Sequence, residues 1–289
     1  MLHTVFARLN PASHLCPPEK PKTLNKIISV IGILSLVITA LALTAPTTAL
    51  AKEKESITVN ATAFGADPSG KTDSAPAVEK AIEKLKELRK AHPDKSIVLR
   101  FPTGRYDFYP DKAPECTLYV SNTVGASERF KKKRIGILIE DLDDVTIDGS
   151  GSLFMYHGKM TEFAAINSKK IKIQNVATDF ATPTVIDIAV EKVDSDTKTA
   201  TFLVPKQYNY SLNGNDITWY SDSSPYSNQR YWTTKQSEFS YMQAYDASKQ
   251  QTWRAGNPNS TIFANVTSIK EIKTDNASHL KVTYSSPLN

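Results

Sequence analysis

The sequence predicts an all-β chain whose first half winds as coils of a β-solenoid, opened by one helix and followed by a β-rich stretch. Three observations carry this reading. Strand pairs recur at a fixed offset of 26 residues: Val145-Thr146-Ile147 answers to Ile171-Lys172-Ile173, and Ile139 to Ala165. A single amphipathic segment, from Pro76 to Pro93, stands ahead of them. Beyond Pro183 the period is lost, yet short strands continue.

The chain has 289 residues, enough for one large domain or two small ones. Its beginning reads as a leader. Lys20, Lys22 and Lys26 precede an uncharged run from Ile27 to Leu43, then small residues ending in Ala49-Leu50-Ala51. A basic flank, an apolar core and an A-x-A site make a secretory signal peptide cleaved after Ala51. An uncleaved anchor is the alternative, and the position of the A-x-A favours cleavage. Export to the periplasm, cell surface or medium is therefore expected, with no membrane attachment afterwards. Leaving out residues 1–51 removes Arg8, Lys20, Lys22, Lys26 and Glu19, which takes the formal charge from +5 to +2. No basic stripe remains that would call for nucleic acid. Cys16 leaves too, and Cys116 alone cannot make an internal disulfide. A packed thiol is favoured over a nucleophile there.

In residues 52–184 the first element is the strand Ile57-Thr58-Val59, followed by a dense turn from Phe64 to Gly70. Val78, Ile82, Leu85 and Leu88 then share one helical face. Thr72, Asp73 or Ser74 can cap that helix, and Pro93 ends it. Ile97 to Phe101 and Gly104 to Phe108 read as strands, and the two repeat pairs follow. Residues 185–289 read as an inserted all-β subdomain, with strands at Val185 to Val193, Thr199 to Val204, Ile217 to Tyr220, Ile262 to Val266 and Leu280 to Tyr284.

Two stretches resemble known families. The run Phe64 to Ile82, with the strand Phe101 to Phe108, is similar to the N-terminal cap of pectate-lyase-like proteins, which implies a right-handed parallel β-helix of the pectin-lyase type. Asp148 to Gly158, Ile173-Gln174-Asn175, Asp179 to Pro183 and Asn213 to Tyr220 resemble the N-terminal part of bacterial α-1,3-galactosidases of glycoside hydrolase family 110. That resemblance implies a carbohydrate partner bearing terminal α-galactosides, and no cofactor. It also implies that the coils resume after the insert and carry the catalytic acids, so that this chain resembles a front half.

Glycoside hydrolysis commonly needs two carboxylates, about 5 Å apart for retention or about 6.5–9.5 Å for inversion. Adjacent parallel strands, about 4.8 Å apart, offer such pairs readily. At the 26-residue offset, however, Asp148 meets Gln174, Asp143 meets Lys169, Asp144 meets Lys170 and Glu140 meets Ile166. No acid pair results, so the catalytic residues are expected outside this chain. Candidate substrate contacts are Asp179, just ahead of the insert, and His157, although the turn or cap reading is favoured for Asp179 and the structural reading for His157. Trp219, Tyr220 and Trp232, with Tyr226, Tyr231 and Trp253, read as a sugar-stacking platform or as core. His92, His157 and His279 have no metal-ligand spacing. Two further functions stay open: a non-catalytic carbohydrate-binding module and an inactive gene fragment.

Overall fold

A computed structural model describes residues 4–9, 54–119, 131–274 and 277–287. The expected leader lies outside these apart from the backbone of β1 (Thr4–Leu9). Two elements begin the main body. Strand β2 (Ser56–Asn60) leads through a tight turn into β3 (Ser69–Asp73), and then comes α1 (Ala75–Ala91). Asp67 organises the turn, accepting from the amides of Ser69, Lys71 and Thr72 and from the Ser69 and Thr72 hydroxyls. Those bonds, led by Ser69, lower its carboxyl pKa to about 2. Of the three capping candidates Ser74 holds the N-cap position without a side-chain cap bond, and Asp73 just ahead of it accepts from Ala75 N through Oδ1 at 2.9 Å. The helix buries Val78, Ile82 and Leu85 as its spacing requires, and packs on β4 (Ser96–Arg100) and β7 (Lys132–Glu140).

The remaining strands of this half are β5 (Arg105–Phe108), β6 (Glu115–Thr117), β8 (Asp143–Tyr156), β9 (Thr161–Ile166) and β10 (Lys169–Phe180). Strands β5, β8 and β10 join β2, β3 and β4 in a curled parallel sheet, and β6, β7 and β9 form a separate three-stranded sheet. The first part of β8 pairs with β4, its second part with β5, and both parts with β10. Between the two parts the chain turns a corner at Gly149-Ser150-Gly151. A Cβ on Gly149 would come within 2.6 Å of Asn175 O, and Gly151 sits at φ +82°. The sequence offset is the observed register: Val145 pairs with Ile171, Ile147 with Ile173, and Ile139 with Ala165. Side chains bind the turns together, Asn175 Nδ2 donating to Asp148 at 3.0 Å and Lys169 N to Asp143 at 2.9 Å. Past the corner the register shifts, so that Ser152 faces Val176. Inside, Phe101, Tyr106, Phe108, Phe154 and Tyr156 are wholly buried, with neighbouring ring centroids 4.7–5.8 Å apart.

Among the described strands β10 pairs only with β8, and β9 only with β7. Ile173, which points inward beside Ile147, is 41% exposed at that edge. Cys116 is half-buried; burial, then Glu140 and Glu115, push its thiol pKa up, which opposes a reactive thiolate.

A second hydrophobic core gathers residues from Ile186 to Tyr284. Here β11 (Ile186–Asp194), β12 (Thr199–Pro205), β16 (Tyr241–Asp246), β17 (Gln251–Gly256), β18 (Val266–Lys273) and β19 (Ala277–Tyr284) build one sheet with β1, in the order β17-β16-β1-β11-β12-β19-β18. A smaller sheet joins β13 (Asn209–Asn213), β14 (Asp216–Tyr220) and β15 (Thr233–Lys235). The strand expected at Ile262 to Val266 is instead a turn, and β18 starts at Val266. Asn257 nucleates that turn by accepting from Asn259 N at 2.8 Å, and Phe263 N donates to Pro258 O at 2.9 Å.

Candidate functional site

The curled sheet lines up one column of residues across four strands: Asp73 in β3, Asp107 in β5, Met155 in β8 and Asp179 in β10. Tyr106 and Phe108 point inward, so alternation sends Arg105 and Asp107 to the outer face. Asp107 is nevertheless 2% exposed, because the segment between β14 and β15 folds over it.

That segment is tied down at three places. Ser224 Oγ and Tyr231 Oη donate to Asp111 at 2.7 and 2.6 Å, and Tyr226 Oη donates to Asp73 at 3.1 Å. The third tie is His157, which directly follows β8. Its Nε2 lies 2.9 Å from Asp107 Oδ2 and its Nδ1 2.6 Å from Asp222 Oδ2. Tyr109 stacks on the imidazole with centroids 3.9 Å apart and planes 13° from parallel. Asp107 also takes a two-pronged bond from Arg105, 2.7 Å on each side. Gly158 lets Tyr231 come close: its φ is +61°, and a Cβ there would lie 2.7 Å from the ring.

The charges follow from this wiring. Burial pulls the His157 pKa down, but its hydrogen bonds to Asp107 and Asp222 outweigh that and raise it. Burial pushes the Asp107 carboxyl up, yet His157 and Arg105 hold it below the usual range. Asp73 moves the other way: burial raises it against bonds from Ala75 N, Tyr109 N and Tyr226. Asp107 and Asp73 each use both carboxylate oxygens on groups of the protein itself.

The sequence candidates separate accordingly. His157 is a buried joint between two carboxylates rather than a ring turned to solvent. Asp179 is exposed and accepts from Phe180 N at 2.8 Å, as an end-of-strand aspartate does. Trp219 is wholly buried and donates from Nε1 to Gln236 at 3.0 Å, so its faces belong to the core. Trp232 is 6% exposed, with Lys159 Nζ 6.0 Å from its ring centroid, and Arg230 lies 3.4 Å over the Tyr220 ring. Tyr226 and Trp253, at 47% and 46% exposure, are the aromatic residues of that group that keep large solvent-facing surface.

Sequence reasoning missed Asp107, Asp222, Asp73 and Asp111. The alternation Arg105-Tyr106-Asp107-Phe108 held a signal, since it puts Arg105 and Asp107 on one face. Asp222 sits in a Ser-rich turn and gave none. At the 26-residue offset the register bears out the absence of paired acids: Asp148 faces Gln174, Asp143 faces Lys169 and Glu140 faces Ile166. The acids that do meet are Asp73 and Asp107, at a different spacing. Two grooves, of about 140 Å³ between α1 and β7 and about 210 Å³ beside Tyr208 and Tyr210, contain none of these aspartates. Among the described residues no group of three or more His, Cys, Asp or Glu could hold a metal, and no helix is long and apolar enough to cross a membrane.

The comparisons with known proteins point one way. The chain is 38% identical over 218 residues to α-1,3-galactosidase A of Streptomyces avermitilis, covering 75% of this chain and 33% of that protein. It is 40% identical over 202 residues to α-1,3-galactosidase A of Peterkaempfera griseoplana, covering 69% and 27%. To α-1,3-galactosidase B of Parabacteroides distasonis it is 31% identical over 150 residues, covering 52% and 24%. These homologues support a relationship to the galactosidases. The chain spans a third or less of the length of these relatives. No family model matches.

Proposed function

We propose that this chain is the front part of an exported glycoside hydrolase of the α-1,3-galactosidase type, acting on terminal α-galactosides. The observation that carries the reading is the 38–40% identity to proteins of that name over roughly 70% of the chain. On this reading the curled sheet is the opening of a right-handed parallel β-helix. Its catalytic carboxylates belong to further coils that stack on β9 and β10. Two features support that assignment. Asp73, Asp107, Asp111 and Asp222 are already engaged by Tyr, His and Arg partners, which leaves them poorly placed to protonate a glycosidic oxygen or to attack the anomeric carbon. The outer edges of β9 and β10 are unpaired among the described strands. The leader over residues 1–51 would direct the protein to the periplasm, cell surface or medium. No metal or redox group enters the scheme.

The test is release of galactose from an α-1,3-linked galactoside. The chain should be compared with a version extended by the coils of the Streptomyces avermitilis relative. Activity in the extended form alone supports the proposal. Absence of activity in both, with the extended form folded, counts against it.

A second reading is a carbohydrate-binding module without catalysis. The exposed Trp253 and Tyr226 favour it, since a pyranose face stacks on an open ring. Glycan-array binding that Trp253→Ala and Tyr226→Ala weaken, without hydrolysis in either length of chain, would select it.

A further inference from the structure

We infer that His157 is a pH-sensitive latch: as an imidazolium it clips Asp222 onto the curled sheet, and on losing its proton it lets Asp222 go. This inference is independent of the galactosidase reading.

The argument begins with donors and acceptors. An ionised carboxylate only accepts hydrogen bonds, and a neutral imidazole donates from one nitrogen while the other presents a lone pair. His157 has a carboxylate oxygen on each nitrogen, at 2.6 and 2.9 Å. Both contacts are attractive only when both nitrogens carry protons. The neutral ring would set a lone pair against one carboxylate in a site where His157 is 7% exposed, and water cannot easily intervene.

The two carboxylates are not equivalent. Asp107 lies on β5 within the sheet and keeps the paired bonds from Arg105 whatever the state of the ring. Asp222 lies on the covering segment, and its other side-chain oxygen, Oδ1, is buried without a hydrogen-bond partner. When the proton leaves, the remaining N–H can serve only one neighbour. Asp107 is fixed, so Asp222 is the one displaced. The other groups around the ring do not replace the lost bond. Tyr109 stacks on its face, Asp73 accepts from the Tyr109 amide behind it, and Tyr231 leans on Gly158 while donating to Asp111. Lys159 is directed to the Trp232 ring. The Tyr226 and Tyr231 hydroxyls keep their protons well above the His157 transition, since burial raises both. Ser224 and Tyr231 therefore stay moored on Asp111, Tyr226 on Asp73 and Ser221 on Trp232, while Asp222 swings away and its amide gives up the 3.3 Å bond to Thr182 Oγ1.

The sign is set by the geometry and agrees with the raised pKa of His157. The latch is closed below the ordinary histidine range and opens as pH rises through the folded value.

The experiment uses the full chain. Imidazole nitrogen shifts of His157, assigned by comparison with His157→Gln, report its protonation. Amide exchange of Asp222, whose N–H donates to Thr182 Oγ1 at 3.3 Å, corrected for the intrinsic pH dependence, reports opening. The ring should carry both protons at pH 6. Protection of this amide should fall about tenfold through the His157 titration, the worth of one charge-assisted hydrogen bond. In Asp222→Asn, which removes the carboxylate but keeps the shape, the pH dependence of that protection should vanish. A neutral His157 ring at pH 6 would overturn the inference. So would protection of the Asp222 amide that stays level through the titration in the unmodified chain.

Discussion

At the scale of single residues, the strongest constraints sit where the segment between β14 and β15 meets the sheet. Gly158 is the sharpest. A methyl group there must occupy a left-handed backbone and press into the Tyr231 ring. Gly158→Ala should therefore lower stability by about 1–3 kcal/mol, read as a drop in melting temperature. Acid should act through Asp107. Its folded pKa is depressed, so its contribution is complete above the unfolded value near 3.8 and is lost as pH falls through the folded value. Denaturant titration at pH 6 and pH 3 should show the loss, and Asp107→Asn should be less sensitive to that acid step. These residues were hard to read from sequence. Nothing local announces that Asp107 and Asp222 will share an imidazole, because their meeting depends on a fold-back across two cores.

Whole elements were far more legible. The spacing of Val78, Ile82 and Leu85 gave α1, and the 26-residue offset gave the pairing of β8 with β10 as far as Gln174. Both patterns reflect burial on one face, which repeats regularly along a chain. The offset fails beyond Asn175 because the corner at Gly149–Gly151 takes more residues in β8 than in β10. Ile262 to Val266 looked like a strand from its apolar residues, but Asn257 and Pro258 upstream wind it into a turn. The hairpin of β16 and β17 went unread because its polar residues hide the alternation. The aromatic cluster in β8 and its neighbours should dominate stability. Phe154→Ala, which empties space among Phe101, Tyr106, Phe108 and Phe163, should cost about 3–5 kcal/mol by equilibrium denaturation. The open edge of β10 should show in solution as well. An unpaired strand edge with Ile173 half-exposed favours association between copies, so light scattering should rise with concentration. Ala177→Lys, on the outer face of that edge, should reduce it.

For the molecule as a whole, composition and charge limited the possibilities, and the resemblance to galactosidases supplied the chemistry. How the curled sheet and the segment between β14 and β15 hold each other could not be read from sequence. Carboxylates gather at one face and hold the segment between β14 and β15 in place. The central claim is that these acids are mortar and that hydrolysis needs strands stacked beyond β10. The direct measurement is galactose released from an α-1,3-linked galactoside by the 289-residue chain. None is expected from this chain, and turnover is expected once further coils from the Streptomyces avermitilis relative are attached. Turnover by the chain itself, abolished by Asp73→Asn or Asp107→Asn in a protein that still folds, would contradict it.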